Sequence, residues 1–176
     1  MTEIDVDKCG ITHYPAQVLG GPAQPVEKID DSIRRLAARM TDIMIEHKGI
    51  GLAAPQAGVP LRLFIISIDG SREKTKVYIN PTVKGNGQFE QNEEGCLSVP
   101  GVYAKIKRYA MATVTATDLD GKLFTEQAEG LYARALQHEF DHIEGTTIVK
   151  RMPTIARIAH RKQIKKLKEE HDSAGS

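Results

Sequence analysis

The sequence predicts an α+β fold, in which antiparallel sheets pack around a central helix that carries the motif HExxH, with one helix near each end of the chain. Two observations support this prediction. Strand-like segments are grouped in the middle of the chain, and helical periodicity occurs at three separate points. A regular alternation of strands and helices would instead have favoured a parallel sheet.

The composition is that of one globular domain. The chain has 176 residues, of which 40% are hydrophobic and 27% charged, and its formal net charge is +1. The near-neutral charge argues against DNA binding by the chain as a whole, and no apolar run reaches the roughly 18 residues of a membrane span. We therefore expect a single domain over residues 1–171, a disordered tail at 172–176, and no membrane or DNA partner.

The N-terminal segment and the cysteines indicate the compartment. Residues 1–15 lack the apolar stretch of a signal peptide and the arginines of a transit peptide, which favours a cytoplasmic protein. The chain has only two cysteines, Cys9 and Cys96, so a disulfide framework is excluded. Each thiol therefore needs its own explanation, and a buried structural thiol is expected for Cys9.

The first predicted helix begins at Asp30–Ser32 and continues to about His47. Acidic residues suit a helix N-terminus, and apolar residues then recur at helical spacing until two glycines end the pattern. The next segment, 49–58, has the sequence GIGLAAPQAG. It is mostly apolar and small, and Gln56 is its one polar side chain.

The strand-like segments follow. Apolar patterns bounded by turn residues predict strands at Val59–Asp69, Thr75–Pro81, Gln88–Asn92, Val102–Arg108, Met111–Asp118 and Lys122–Ala128. Glycines at 85 and 87 separate the second of these from the third, and Asp120-Gly121 indicates a tight hairpin.

The next predicted helix, Gly130–Ile143, contains the motif HExxH as His138, Glu139 and His142. A separation of four residues places both imidazoles on one helix face, about one turn apart, so that they can bind one metal ion. Glu139 lies one step around the helix and can reach a water molecule on that metal. The alternative is a surface helix with two solvated histidines.

An active metal site needs a third protein ligand and an open position. Ile148 stands where the metzincin protease pattern requires histidine, while Glu169 and Glu170 are available to a site of the thermolysin kind. Cys96, flanked by Gly95 and Leu97, is the remaining candidate. At this point the residues leave open a metallopeptidase of the HExxH class and a metal-binding module without catalytic activity.

Three segments in order resemble the signature motifs of the bacterial peptide deformylases: GIGLAAPQAG at 49–58, EGCLS at 94–98 and QHEFDH at 137–142. The resemblance covers roughly residues 10–170. It implies one divalent metal ion on three ligands: Cys96, His138 and His142. It also implies Glu139 as the general acid and base, with Gln56 and the backbone N–H of Leu97 as oxyanion donors. Gly51 corresponds to the residue whose backbone touches the substrate, and the methionine pocket would be lined by Ile50, Glu94, Leu131, Arg134 and Ala135.

The implied reaction removes the formyl group from the N-terminal formyl-methionine of newly synthesised proteins. In it, a metal-bound water attacks the formyl carbon, and the partners are N-formylmethionyl nascent peptides. The resemblance implies Fe²⁺ as the ion in the cell, whereas the ligand types also suit Zn²⁺, Ni²⁺ or Co²⁺. Asn92 and Arg134 depart from the apolar lining expected for the pocket.

The last predicted helix, Ile155–Glu170, is amphipathic and basic. From Lys150 to Lys168 there are eight lysines and arginines and no acidic residue. The first interpretation is a packed helix with a solvated basic face. The second is a contact with ribosomal RNA, whose affinity a basic face would make dependent on salt.

Overall fold

A computed structural model of the chain describes residues 4–174, and their secondary structure confirms the α+β class. Five strands form a single antiparallel sheet in chain order: β1 (Gly51–Ala53), β2 (Leu63–Ile66), β3 (Lys76–Glu94), β4 (Ala104–Thr117) and β5 (Leu123–Glu129). The helices are α1 (Asp31–Glu46), α2 (Gly130–Ile143), α3 (Ile148–Arg151), α4 (Thr154–Ala159) and α5 (Arg161–Ala174).

Helix α1 lies where the sequence predicts it. The side chain of Asp30 accepts hydrogen bonds from the backbone N–H groups of Ser32 and Ile33, at 3.0 and 3.3 Å, and so caps the helix. The apolar face of α1 packs on the first two strands in a buried cluster that includes Leu36 and Met40. Cys9 belongs to the same cluster, and burial raises the pKa of its thiol, as expected for a structural cysteine.

Strand β3 corrects the prediction of two strands separated by glycines. It runs unbroken through Gly85 and Gly87, with register irregularities against β4 on either side of 82–86. Gly85 is required because the ring of Tyr109 lies on its Cα, so that any added side chain would clash. Gly87 adopts a φ of +79°, which favours glycine. Strand β4 likewise joins two predicted segments, and β2 is shorter than predicted.

Helix α2 has the predicted bounds and contacts all five strands. The predicted sheets are therefore one sheet that surrounds this helix. Ala133, Leu136 and Ile143 are buried against Phe64 and Tyr78 of the sheet. Because the HExxH residues lie on α2, the core of the fold holds them in place.

The C-terminal region differs from the single helix predicted at 155–170. It forms α4 and α5, separated at His160, and backbone hydrogen bonds of 3.0 Å continue on both sides of that residue. Residues 172–174 are helical where a disordered tail was predicted, whereas 175 and 176 lie outside the described residues. Residues 1–3 also lie outside them, so the single domain at 1–171 stays a prediction. No helix within 4–174 is long and apolar enough to cross a membrane.

Candidate metal centre

The three predicted ligand side chains meet at one point. The Cys96 Sγ lies 3.3 Å from the His142 Nε2, and the Nε2 atoms of His142 and His138 are 3.2 Å apart. All three ligand atoms lie within 4.8 Å of one another. One thiol and two imidazoles at this spacing fit a single divalent cation of borderline softness.

A turn after β3 brings Cys96 to α2. The backbone N–H of Val99 donates to the carbonyl oxygen of Cys96 at 2.9 Å, which closes the turn. Position 95 requires glycine because the ring of Tyr103 lies over it, and an added Cβ would come within 2.6 Å of the Tyr103 Cε1. The turn therefore carries the thiol back over the helix that holds the two histidines.

Glu94 fixes the orientation of His138. Its Oε2 lies 3.0 Å from the His138 Nδ1, so that the Nε2 faces the other ligand atoms. Arg108 donates to both oxygens of Glu94, at 2.8 and 3.0 Å. Burial raises the pKa of Glu94, but hydrogen bonds from His138 and Arg108 outweigh it and lower the pKa to about 2. Glu94 is therefore an anion that orients a candidate ligand, as well as a residue that lines the cleft.

The pKa values of His138 and His142 are shifted in opposite directions. Burial lowers the pKa of His138, but its contacts with Cys96 and Glu94 outweigh burial and raise the pKa well above the usual value. Burial and the neighbouring His138 lower the pKa of His142 well below the usual value. His142 therefore offers a neutral imidazole, whereas a cation at this point would displace a proton from His138.

Glu139 lies beside the ligands with a buried carboxylate. Among the described residues its Oε2 has no hydrogen-bond partner, and burial raises its pKa to about 7. The carboxylate packs against the Cα of Gly51, where any side chain would clash with the Glu139 Oε1. A carboxyl group with a pKa near neutrality suits proton transfer at physiological pH.

Gln56 presents its amide NH₂ group to the same point. Its Oε1 accepts the backbone N–H of Ala53 at 2.8 Å, which fixes the orientation of the amide. The Nε2 then lies 3.4 Å from the Cys96 Sγ and 3.3 Å from the Ser98 Oγ. Within residues 4–174, the backbone N–H of Leu97 has no acceptor. Two hydrogen-bond donors are thus available next to the thiol.

A cleft of about 670 Å³ leads to Glu139 and His138. Leu131, Arg134 and Ala135 line it on the same face of α2 as His138, and Ile50, Gly51 and Glu94 line it too. All the predicted pocket residues therefore border one cleft. The guanidinium of Arg134 is not free, because its Nη1 donates to the Glu94 Oε1 at 3.2 Å.

Sequence reasoning missed several residues around this cleft. Among them are His13, His47, Lys48 and Tyr103, which line it but belong to no recognised motif. Asn92, which was noted as a departure from the expected apolar lining, is exposed and does not line the cleft. Arg108 could have been found, because strand alternation places it on the buried face of β4 with Ala104 and Ile106.

Comparisons with known proteins identify a family. The family model described as Polypeptide deformylase matches residues 8–157. The chain is 40% identical over 156 residues to a peptide deformylase of Chromobacterium violaceum, covering 89% of this chain and 93% of that protein. It is 38% identical over 156 residues to the peptide deformylase of Neisseria gonorrhoeae, with the same coverage.

Solved structures give the same result. The crystal structure of a peptide deformylase from Legionella pneumophila is 40% identical in sequence, with a TM-score of 0.86, and the match covers 93% of this chain and 97% of that chain. A peptide deformylase from Plasmodium falciparum is 30% identical, with a TM-score of 0.91, over 94% of this chain and 99% of that chain. The similarity thus extends over nearly the whole fold.

Proposed function

Because the chain belongs to the polypeptide deformylase family of metal-dependent hydrolases, we propose that it removes the formyl group from the N-terminal formyl-methionine of newly synthesised proteins. The observation that carries this proposal is the meeting of Cys96, His138 and His142 at one point, where Cys96, His138 and Glu139 line a cleft. In this proposal the first three residues hold the cation and Glu139 transfers the proton.

The cleft binds the substrate through its backbone and its first side chain. Gly51 offers a main chain without a side chain at the cleft wall, which suits contact with the peptide backbone. Ile50, Leu131 and Ala135 provide the apolar surface that a methionine side chain needs, and Arg134 and Glu94 form the polar part of the wall. The formyl group then lies next to the ligand atoms.

Glu139 performs the proton transfers of hydrolysis. When bound, a divalent cation supplies a Lewis acid that lowers the pKa of water and polarises the formyl oxygen. The Glu139 carboxylate takes the proton of the attacking water and donates it to the methionine nitrogen as the C–N bond breaks. The products are formate and a peptide with a free N-terminal amine. The pKa of about 7 lets the same carboxyl group take both roles.

Gln56 and Leu97 stabilise the charge that develops on the formyl oxygen. The Gln56 amide is already oriented by its bond to Ala53, so little reorganisation is needed when charge develops. The backbone N–H of Leu97 supplies the second donor. The Gln56 Nε2 lies 3.4 Å from the Cys96 Sγ, and Leu97 follows Cys96 in the chain.

We propose Fe²⁺ as the ion in the cell, with Zn²⁺, Ni²⁺ or Co²⁺ as substitutes. Thiolate and imidazole ligands accept all four ions. A thiolate on Fe²⁺ is exposed to oxidation, so we expect activity to be lost in air. We propose nascent peptides in the cytoplasm as the substrates, and ribosomal RNA as a contact of the basic face of α4 and α5.

One assay tests the function. Protein prepared without oxygen is incubated with formyl-Met-Ala-Ser, and formate release is measured with and without a chelator. Formate release that the chelator abolishes supports the proposal, and its absence from metal-loaded protein overturns it. A Glu139→Ala variant is expected to keep the metal and lose formate release by about 10²–10⁴-fold. Retained metal with loss of formate release argues against a metal-binding module without catalytic activity, whereas unchanged turnover in that variant would overturn the proposed role of Glu139.

A further inference from the structure

A chain of buried ion pairs runs from His138 away from the cleft. Glu94 contacts the His138 Nδ1, and Arg108 holds both oxygens of Glu94. The remaining nitrogen of Arg108, Nη1, donates to the Asp141 Oδ2 at 2.7 Å. Arg151 of α3 then donates twice to Asp141, from Nε at 2.9 Å and from Nη2 at 2.5 Å.

Arg108 is the rigid centre of this chain. Its side chain is only 3% exposed, and its three nitrogens donate to three carboxylate oxygens, two on Glu94 and one on Asp141. A guanidinium is planar, so contacts with two carboxylates fix both its position and its plane. The contact with Asp141 therefore determines how Arg108 presents its other two N–H groups to Glu94.

Asp141 is also held by the partly exposed side chain of Arg151. Its side chain is 8% exposed and accepts hydrogen bonds from two guanidinium groups, those of Arg108 and Arg151. The side chain of Arg151 is 49% exposed, belongs to a segment that follows α2, and touches neither the cleft nor a ligand. It is the outermost residue of the chain of contacts.

We propose that Arg151 is a positioning residue for His138, acting through Asp141, Arg108 and Glu94. The proposal rests on the proposed role of His138 as a metal ligand. Loss of the two hydrogen bonds from Arg151 frees Asp141 to turn, and Arg108 and Glu94 can then move with it. The His138 ring becomes less ordered before the metal binds, and the ordering cost weakens metal binding.

The size of the expected effect depends on how many side-chain contacts separate Arg151 from His138. Loss of a direct partner of a ligand typically weakens metal affinity by about 10–100-fold, and Arg151 is three residues further out, so we expect about a threefold to tenfold loss. Arg151→Ala should show the whole effect. Arg151→Lys keeps the charge but not the two-point contact, and should lie between Arg151→Ala and the unmodified protein.

Cobalt titration tests the proposal without measuring turnover. Full-length protein is freed of metal and titrated with Co²⁺, and the thiolate charge-transfer and d–d absorption bands report both the dissociation constant and the ligand geometry. Arg157→Ala is the matched control, because Arg157 belongs to the neighbouring helix α4 and its side chain, among the described residues, donates only to the carbonyl oxygen of Met152. It should leave the dissociation constant and the bands unchanged.

The outcomes separate the inference from the function. A raised dissociation constant and altered d–d bands in Arg151→Ala, with Arg157→Ala unchanged, support the inference. If the unmodified protein binds Co²⁺ and releases formate while Arg151→Ala binds within twofold of it, the inference fails and the proposed function stands. Absence of Co²⁺ binding by the unmodified protein overturns both. Should Arg151→Ala not fold, Arg151→Lys decides on the same criteria.

Discussion

Gln56 illustrates how a single residue acquires a role from its neighbours. Its side chain is 1% exposed, and its oxygen is engaged by the backbone of Ala53, so only the NH₂ group faces Cys96. In the sequence it stands out as the one polar side chain of an apolar segment. Its predicted role came from the resemblance to the deformylase motifs, whereas the orientation of the amide depends on a backbone contact that no sequence pattern carries.

Replacement of Gln56 by leucine should lower kcat by about 10²–10³-fold, because one donor to the developing oxyanion is lost. KM for formyl-Met-Ala-Ser should change little, since the ground-state carbonyl carries less charge. Steady-state kinetics on metal-loaded protein measures both constants. Ser98→Ala is the control, because Ser98 contacts the same nitrogen but has no proposed contact with substrate. An equal loss in both variants would argue for a local packing effect instead.

Arg134 was noted in the sequence as a departure from an apolar pocket, and the structure gives it a partner. Its guanidinium bonds Glu94 through Nη1, while Nη2 lies 4.0 Å from the Glu90 Oε2. Donors of Arg134 therefore remain available at the cleft wall. A methionine sulfoxide oxygen is a strong acceptor, whereas the thioether of methionine is a weak one.

Substitution of Arg134 by leucine should therefore reduce kcat/KM for a formyl-methionine sulfoxide peptide more than for the formyl-methionine peptide. We expect the ratio of the two constants to change by about tenfold, within the range that one side-chain contact supplies. Any disturbance of Glu94 affects both substrates alike and cancels in the ratio. An unchanged ratio would mean that Arg134 does not reach the substrate side chain.

At the residue scale, the sequence did not predict the contacts among Glu94, Arg108 and Asp141. The motif residues were identified because their spacing along α2 or within a short segment carries the signal. The sequence assigned Glu94 only to the pocket wall. Its hydrogen bond to His138 was not predicted, because the two residues are 44 positions apart. Asp141 lies inside the HExxH motif and received no role, because its partners Arg108 and Arg151 come from other elements.

At the scale of elements, the helices were easier to predict than the strands. Both α1 and α2 have capping or periodic signals within their own residues, and their predicted bounds agree with the structure. The glycines of β3 were interpreted as a gap, because glycine weakens strands in general. In the structure these glycines lie within a continuous strand. Gly85 leaves space for the ring of Tyr109 on the neighbouring strand, and this contact is known only once the strand pairing is known.

A polar cluster of residues that do not line the cleft joins β3, β5 and α2. Glu126 of β5 accepts hydrogen bonds from Tyr78 of β3 at 2.5 Å and from Tyr132 of α2 at 2.6 Å, and Lys76 lies 2.7 Å away. Burial raises the pKa of Glu126, but the hydrogen bonds from Lys76, Tyr132 and Tyr78 outweigh it and lower the pKa below the usual value.

A carboxylate whose pKa is lowered on folding stabilises the folded state above its unfolded pKa of about 4.3 and loses that contribution as the pH falls further. The difference in unfolding free energy between the unmodified protein and Glu126→Gln should therefore be largest at pH 6–7 and shrink towards pH 3. Urea unfolding of both metal-free proteins across this range measures it. A difference that stays constant with pH would show that Glu126 acts through packing rather than through its charge.

At the scale of the whole molecule, the candidate metal site couples the sheet to the central helix. Cys96 follows the end of β3, both histidines belong to α2, and α2 contacts every strand. The order of the three motifs along the chain predicted this site, but the sequence does not show that one helix contacts the entire sheet. A cation at these ligands would therefore join elements that must all separate when the protein unfolds.

Metal binding should accordingly raise the stability of the whole fold. A cation at 100 times its dissociation constant adds about 2.7 kcal/mol to the unfolding free energy if only the folded state binds it. For a chain of this size that corresponds to an increase of about 5–10 °C in Tm. Scanning calorimetry of protein loaded with Zn²⁺ and of chelator-treated protein measures the shift. His142→Ala, which lacks one ligand, should melt at nearly the same temperature with and without Zn²⁺; an equal shift in that variant would place the stabilising ion elsewhere on the protein.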